Sequence, residues 1–334
     1  MNELLVNTTL ITGATGFIGG HLAKRLVNES WKVKLLVRDG TKLSDDLQDA
    51  AKVIIGDLSD EVALEQAVSD VSVIFHCAAN VKTWDKTSAY HTANVLGVQN
   101  LLNAIAKYNP HLTRLVHVST TDVYGFPEKP CDEKSPTLET GFGYSDSKLR
   151  EENLVREYCA CNNIHYTIIR PTNVIGYKSQ FIQRIGNELK SGLMLTIDNG
   201  QANAGFVYID NLIDYLLWAA RAKHAVFQCY NVRDSYDVSW AEFMEALRSL
   251  LNGRGLVLDL PFSLANGLAI SVEKFYQLFL PNHEPILHRL LVRIFGRTCG
   301  HSAEKIRCDS GIVGKVGFDE AMRKSTLVKV QPDG

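Results

Sequence analysis

Apolar and polar positions alternate between two rhythms over the first half of the chain. Short apolar, β-branched runs at 8–12, 33–37, 52–55, 71–77, 114–119 and 165–170 read as strands. Between them the apolar residues fall at helical spacing. Ile18, Leu22, Leu26 and Val27 share a face, Asp60 stands as an N-cap before 61–68, 94–108 stops short of Pro110, and 144–161 forms the longest segment. The strand runs are continuously apolar, so both faces of the sheet are covered, which points to an α/β chain with a doubly wound parallel sheet. Beyond residue 171 the rhythm breaks. Turn signals crowd at Asp198-Asn199-Gly200 and Asn203-Ala204-Gly205, and no internal repeat or low-complexity segment follows.

Two apolar stripes mark the last third. Leu264, Leu268, Val272, Phe275, Tyr276 and Phe279 form one; Ile286, Leu287, Leu290, Leu291, Ile294 and Phe295 form the other, with Arg289, Arg293 and Arg297 on its remaining face. The plain expectation is two amphipathic helices facing the core. The sharper alternative is an apolar lid, or a helix lying on a membrane surface for a lipophilic substrate.

Composition narrows the class. Among 334 residues, 35 Lys and Arg against 37 Asp and Glu leave a net charge of −2, which excludes binding to nucleic acid by phosphate neutralisation. With 46% hydrophobic residues the chain can build a sizeable core without staples. Cys77, Cys131, Cys159, Cys161, Cys229, Cys299 and Cys308 make an odd set without a CxxC pair or zinc-ligand spacing, so reduced thiols and no metal are expected. The N-terminal residues lack the basic start and apolar stretch of a signal peptide. No run reaches membrane-spanning length, because Asp214 interrupts 212–220 and His288, Arg289 and Arg293 interrupt 286–295. A cytoplasmic protein is expected, with any membrane contact peripheral.

The glycines then suggest a ligand. Gly13-Ala14-Thr15-Gly16-Phe17-Ile18-Gly19 follows the first strand and opens a helix, where glycines let backbone N–H groups approach a pyrophosphate at the positive helix end. A Rossmann-type nucleotide site is the functional expectation, a glycine-rich turn without ligand the plain one. At the end of the second strand stands Val37-Arg38 instead of a carboxylate. An Arg there can pair with a 2′-phosphate, so NADP(H) is preferred and NAD(H) is the second choice; otherwise Arg38 simply pairs with Asp39. Asp57 can accept from the adenine amino group or cap the next turn.

Tyr144 and Lys148 lie four apart on one helix face, an arrangement in which an ammonium lowers a phenol pKa and prepares a general acid/base. Ser119-Thr120-Thr121 ends the fifth strand, at the sheet edge where doubly wound folds bind ligands. A hydroxyl there can orient a substrate oxygen, or merely cap a turn.

Taken in order, Thr12-Gly13-Ala14-Thr15-Gly16-Phe17-Ile18-Gly19, His76-Cys77-Ala78-Ala79, Asn94-Val95-Leu96-Gly97, the stretch 117–125, Tyr144-Ser145-Asp146-Ser147-Lys148 and Arg170-Pro171-Thr172-Asn173-Val174-Ile175-Gly176 resemble the extended short-chain dehydrogenase/reductase superfamily over most of residues 6–215. The resemblance implies a nucleotide-binding domain over 1–175 and a smaller, interleaved substrate lobe over 176–330, with part of 205–235 returning to the sheet. It implies that Thr120 holds the substrate oxygen, Tyr144 exchanges its proton, and Lys148 lowers the Tyr pKa and binds the nicotinamide ribose. The expected cofactor contacts are Gly13, Thr15, Gly16, Phe17, Ile18, Gly19, Arg38, Asp57, Leu58, Cys77, Ala78, Ala79, Tyr144, Lys148 and Pro171. The expected substrate contacts are Trp84, Thr121, Asn173, Tyr177 and Phe181. By family analogy a homodimer forms through the Tyr-Lys helix and its neighbour.

The branches pull apart. Val37-Arg38-Asp39 looks like the NADPH-dependent dihydroflavonol and cinnamoyl-type reductases, the stretch 206–211 like the 3β-hydroxysteroid dehydrogenase-like branch, and Asn173 like the nucleotide-sugar epimerases and dehydratases. Ala204-Gly205 stands where many sugar-nucleotide enzymes carry a diphosphate-binding Arg. Thr121-Asp122 supplies one carboxylate where a dehydratase carries a pair. The leading expectation is an NADP(H)-preferring oxidoreductase interconverting a carbonyl and an alcohol on a small, apolar substrate. A nucleotide-sugar 4-epimerase or 4-keto-sugar reductase with tightly bound NAD(P) is the alternative.

Overall fold

The computed structural model describes residues 8–280 and 283–326. The N-terminal segment read above for a signal, and residues 327–330 of the expected lobe, lie outside the described residues.

Strands and helices alternate as β1 (Thr9–Thr12), α1 (Phe17–Asn28), β2 (Val33–Val37), α2 (Asp45–Ala50), β3 (Lys52–Ile55), α3 (Glu61–Val68), β4 (Val73–His76), α4 (Thr87–Tyr90), α5 (Gly97–Tyr108), β5 (Arg114–Val118), α6 (Gly143–Cys161) and β6 (Tyr166–Pro171). Six of these strands and a later one, β10, form a parallel sheet in the order β10-β6-β5-β4-β1-β2-β3. Every residue of β1, β2, β4, β5 and β6 is buried, as continuous apolar strands require. One core packs α1 and the second half of the chain against one face; another packs α3, α5 and α6 against the other. The strand order reverses between β1 and β4, and their ends stand in register with β5 through Thr12↔His76 and His76↔His117. The ligand crevice of such a sheet opens at that reversal.

The second half continues as β7 (Asn173–Ile175), α7 (Gln180–Ser191), β8 (Leu193–Ile197), β9 (Phe206–Tyr208), α8 (Ile209–Arg221), β10 (Gln228–Val232), α9 (Trp240–Leu250), β11 (Leu256–Leu260), α10 (Phe262–Phe279), α11 (Arg289–Gly296), α12 (Glu304–Ser310) and α13 (Phe318–Thr326). Two small parallel pairs, β7 with β9 and β8 with β11, sit outside the main sheet.

Local chemistry sets the boundaries. Asp60 caps α3, its side chain accepting from Ala63 N–H. The helix predicted from residue 94 starts earlier: α4 runs through a π-helical stretch, His91–Leu96, into α5. Within that stretch the buried Asn94 accepts from Asn80 N–H and donates to Ser147 Oγ, tying the segment to α6. The helix α2 carried too weak an apolar pattern to be foreseen, with Leu47 alone buried.

One expectation is corrected here. The apolar stripe of α10 does not face the core: Leu264, Leu268, Phe275, Leu278 and Phe279 are exposed, while the helix packs through Ala265 and Ala269 and the buried Glu273, which is paired with Arg289. The small residues allow close approach on one side and leave the bulky ones outside. No helix of the described residues is long and apolar enough to cross a membrane.

Candidate active site

The glycine loop is built for close approach. Gly13 has φ +75°, and a Cβ there would lie 2.7 Å from Ala78 N; a Cβ on Gly19 would lie 2.4 Å from Gly13 O. Gly16 N–H bonds back to Gly13 O and Gly16 stands at the N-cap of α1 without a side-chain partner. The free N–H groups of that helix end therefore face the crevice, with Thr15 and Gly16 exposed and Phe17 lining it. This cradle fits a dinucleotide pyrophosphate. Ala78 N–H donates to Thr12 Oγ1, so β4 is held against the loop. Cys77 is half-buried, and desolvation pushes its thiol up to about 12. Ile18 and Ala79 are half-buried beside them, and Pro171 is buried at the end of β6, opposite Val232.

At the far end of the cradle Arg38 is exposed and makes no ion pair among the described residues. Asp39 instead caps a turn through Thr41 and faces Lys42. Arg38 lies near enough to Asp57 to lower its pKa, after the larger effect of Ser59. Asp57 uses one oxygen to accept from Ser59 N–H and Oγ–H, so it does cap the next turn. Leu58 packs on Gly97, where a Cβ would meet its side chain at 2.8 Å.

Thr120, Tyr144 and Lys148 come together at the ends of β5 and the start of α6. The Thr120 hydroxyl accepts from Asp122 N–H at 3.2 Å. Lys148 is buried, and its ammonium donates to Val118 O at 2.9 Å and to Glu151 Oε2 at 2.5 Å. The expected lowering of the phenol pKa is corrected by this geometry. Burial, then the charges of Asp122 and Glu151, raise Tyr144 against the Thr120 hydrogen bond, while Lys148 is paired with Glu151.

Two carboxyl groups of this site escaped sequence reasoning as site residues. Burial pushes Asp122 up to about 6, against the hydrogen bond from Thr120. Glu151, one helical turn from Lys148, is pushed up to about 7 by burial, against the Lys148 charge. His76, His117 and Glu151 also offer ligand atoms within 4.8 Å of one another, a grouping that linear spacing hides because it spans β4, β5 and α6. The Lys148 ammonium on Glu151 places a cation there already.

A cavity of about 1000 Å³ extends from the glycine loop into the second half of the chain. Asn173, Tyr177 and Phe181 line it, with Leu193, Leu195, Leu287, Leu291 and Phe295 on the apolar side. Asn173 donates its amide to Ala204 O, and Phe181 belongs to an aromatic cluster with Trp240, Phe243 and Phe295. Trp84 packs at a tilt against His288 next to the lining residue Thr83, while Thr121 is buried in the turn after β5. Thr120, Tyr144 and Lys148 lie outside this lining, as do Trp84 and Thr121.

Comparison with known proteins agrees with this architecture. The model of the NAD dependent epimerase/dehydratase family matches residues 9–232. The 4-hydroxy-2-methyl-3-oxo-4-farnesyl-3,4-dihydroquinoline-1-oxide ketoreductase of Stigmatella aurantiaca is 26% identical over 320 residues, covering 94% of each chain. The 2-alkyl-3-oxoalkanoate reductase of Stenotrophomonas maltophilia is 26% identical over 327 residues, covering 94% of this chain and 97% of its own. The solved UDP-glucuronic acid 4-epimerase from Bacillus cereus, in complex with UDP-glucuronic acid and NAD, superposes with a TM-score of 0.75 at 22% identity over 95% of this chain and 97% of its own, a shared fold. With a family match over most of the chain and a nucleotide cradle at its sheet reversal, the protein belongs to the NAD-dependent epimerase/dehydratase family of extended short-chain dehydrogenases/reductases and is an NAD(P)-dependent enzyme acting on CH–OH groups.

Proposed function

We propose that the protein is an NADP(H)-preferring ketoreductase for a substrate with an apolar tail. The observation that carries this reading is the cavity wall of Leu193, Leu195, Leu287, Leu291 and Phe295 beside the nucleotide cradle. Two of the cations on the cavity lining are paired, Arg184 with Glu284 and Lys82 with Asp85. At 204–205, no side chain can reach a diphosphate. Ala204 is fully buried, and a Cβ on Gly205 would lie 1.9 Å from Cys299 O. The two ketoreductase relatives act on substrates bearing farnesyl or alkyl groups, which supports the same substrate class. Arg38, exposed at the end of β2, supports the choice of NADP(H).

In this reading the Thr120 hydroxyl holds the substrate oxygen and the Tyr144 phenol gives it a proton. The pressure that Asp122 and Glu151 put on the phenol keeps Tyr144 protonated, the state a reductase needs. When bound, the nicotinamide supplies the hydride. Lys148 fixes the helix turn that carries Tyr144 through Val118 O and Glu151. Tyr144→Phe is expected to cut ketone reduction by roughly 10²–10⁴-fold and to leave NADPH binding, followed by fluorescence titration, unchanged. Full turnover in that variant overturns the assignment. Asn173 on the cavity lining favours the second reading, a nucleotide-sugar epimerase; net consumption of NADPH separates the two.

A further inference from the structure

Large apolar side chains on a protein surface ordinarily stand singly, and a group of them marks a contact. Phe275 on α10 is 52% exposed, and Ile286, in the segment before α11, is 77% exposed. Both line a second groove, of about 490 Å³, together with Ser271, Val272, Tyr276 and Leu287. Val272, Phe275 and Tyr276 fall at i, i+3 and i+4, so they present one helix face. The Phe275 ring is tilted against Phe279 at 5.0 Å and stands edge-on to Tyr276 at 6.1 Å. Among the described residues no charged side chain lines this groove.

Polar contacts on either side hold it in shape. The buried Glu273 accepts from Arg289 N–H at 2.6 Å and from Arg289 Nε at 2.7 Å, which ties α10 to the start of α11. Glu284 accepts from Thr83 Oγ1 at 2.9 Å and from Arg184 Nη1 at 3.0 Å. Pro285 and His288 are buried. Ile286 is thus held outward between fixed points. Ile286 and Leu287 also line the substrate cavity, so apolar surface passes from the cavity wall over these two residues to α10.

We propose that the α10 groove is a second subsite of the substrate cavity, taking the distal end of a hydrocarbon tail too long for the cavity alone. This rests on the reading of the cavity as the seat of an apolar substrate. A groove without charge suits a tail that ends in hydrocarbon, and its continuity with the cavity wall lets one chain occupy both.

The experiment compares KM across 3-oxo acids of increasing chain length in wild type and Phe275→Ser. The two plots should coincide for short acids, whose tails end inside the cavity. For the longest acids the variant should show a KM about tenfold higher, because the ring no longer covers the tail. Ile286→Ser should show the same separation, beginning at a shorter chain. Leu264→Ser removes an exposed leucine of α10 outside the groove and should follow wild type throughout. Binding of cis-parinaric acid, a fluorescent long-chain fatty acid, should weaken about tenfold in Phe275→Ser and stay unchanged in Leu264→Ser. Superposed plots at every length, or a displacement equal for short and long acids, overturn the proposal. So does a change in sedimentation or in flotation with phosphatidylglycerol vesicles while the plots stay superposed, since a second copy or a membrane then covers the groove. Wild-type protein that reduces no 3-oxo acid overturns the underlying reading instead, and the parinaric acid titration still decides the groove.

Discussion

Gly13 shows how far single residues could be read. Its φ of +75° and the 2.7 Å approach of Ala78 N leave no room for a side chain, so the glycine marks the place where two strands and a ligand meet. Thr120, Tyr144 and Lys148 were legible for a related reason: each sits at a fixed offset from a strand end or a helix turn. Glu151 and Asp122 were not, because a residue one turn beyond Lys148 or in the turn after β5 looks like ordinary packing until the fold gathers them at the start of α6. Arg38 tests the residue-level account of the cofactor. It is exposed and unpaired among the described residues, so its replacement should not disturb the fold. Arg38→Ser should raise the KM for NADPH about tenfold, the low end for a charge-assisted hydrogen bond at an exposed site, and leave that for NADH unchanged. Equal effects on both cofactors would remove Arg38 from the 2′-phosphate.

Among the elements, α6 carries both chemistry and architecture, and its two adjacent glutamates divide the work. Glu152 receives Arg170 through both oxygens, at 2.8 and 2.6 Å, and Arg156 at 2.7 Å. Arg170 also donates to Tyr124 Oη, which donates to Asn231 Oδ1, so one network joins α6, β6 and β10. Glu152→Ala strands the buried Arg170 and should lower stability by about 3–5 kcal/mol, read as a fall in the denaturant midpoint. A change below about 1 kcal/mol would show the network to be incidental. The α10 stripe shows where element-level reading fails. Helical periodicity reports that one face is apolar, but only tertiary contacts decide whether the bulky residues or Ala265 and Ala269 meet the core. The helical run from α4 into α5 was hidden likewise, because a π-helical turn breaks the spacing that marks a helix.

For the whole molecule, the parallel sheet was legible because fully buried strands show as unbroken apolar runs. The substrate cavity was not. Its wall is assembled from β8, α11 and the segment before α11, which lie far apart in the chain and carry no motif. That wall is the basis for an apolar substrate, and one assay addresses it. Purified protein is given NADPH and 2-alkyl-3-oxo acids of increasing chain length, with UDP-glucose and UDP-glucuronic acid in parallel. The predicted result is stoichiometric NADPH oxidation with the 3-oxo acids, with KM falling up to about fourfold per added methylene while the cavity fills, and no turnover of the UDP-sugars. Interconversion of a UDP-sugar without net NADPH consumption, together with inertness toward every 3-oxo acid, would contradict the account.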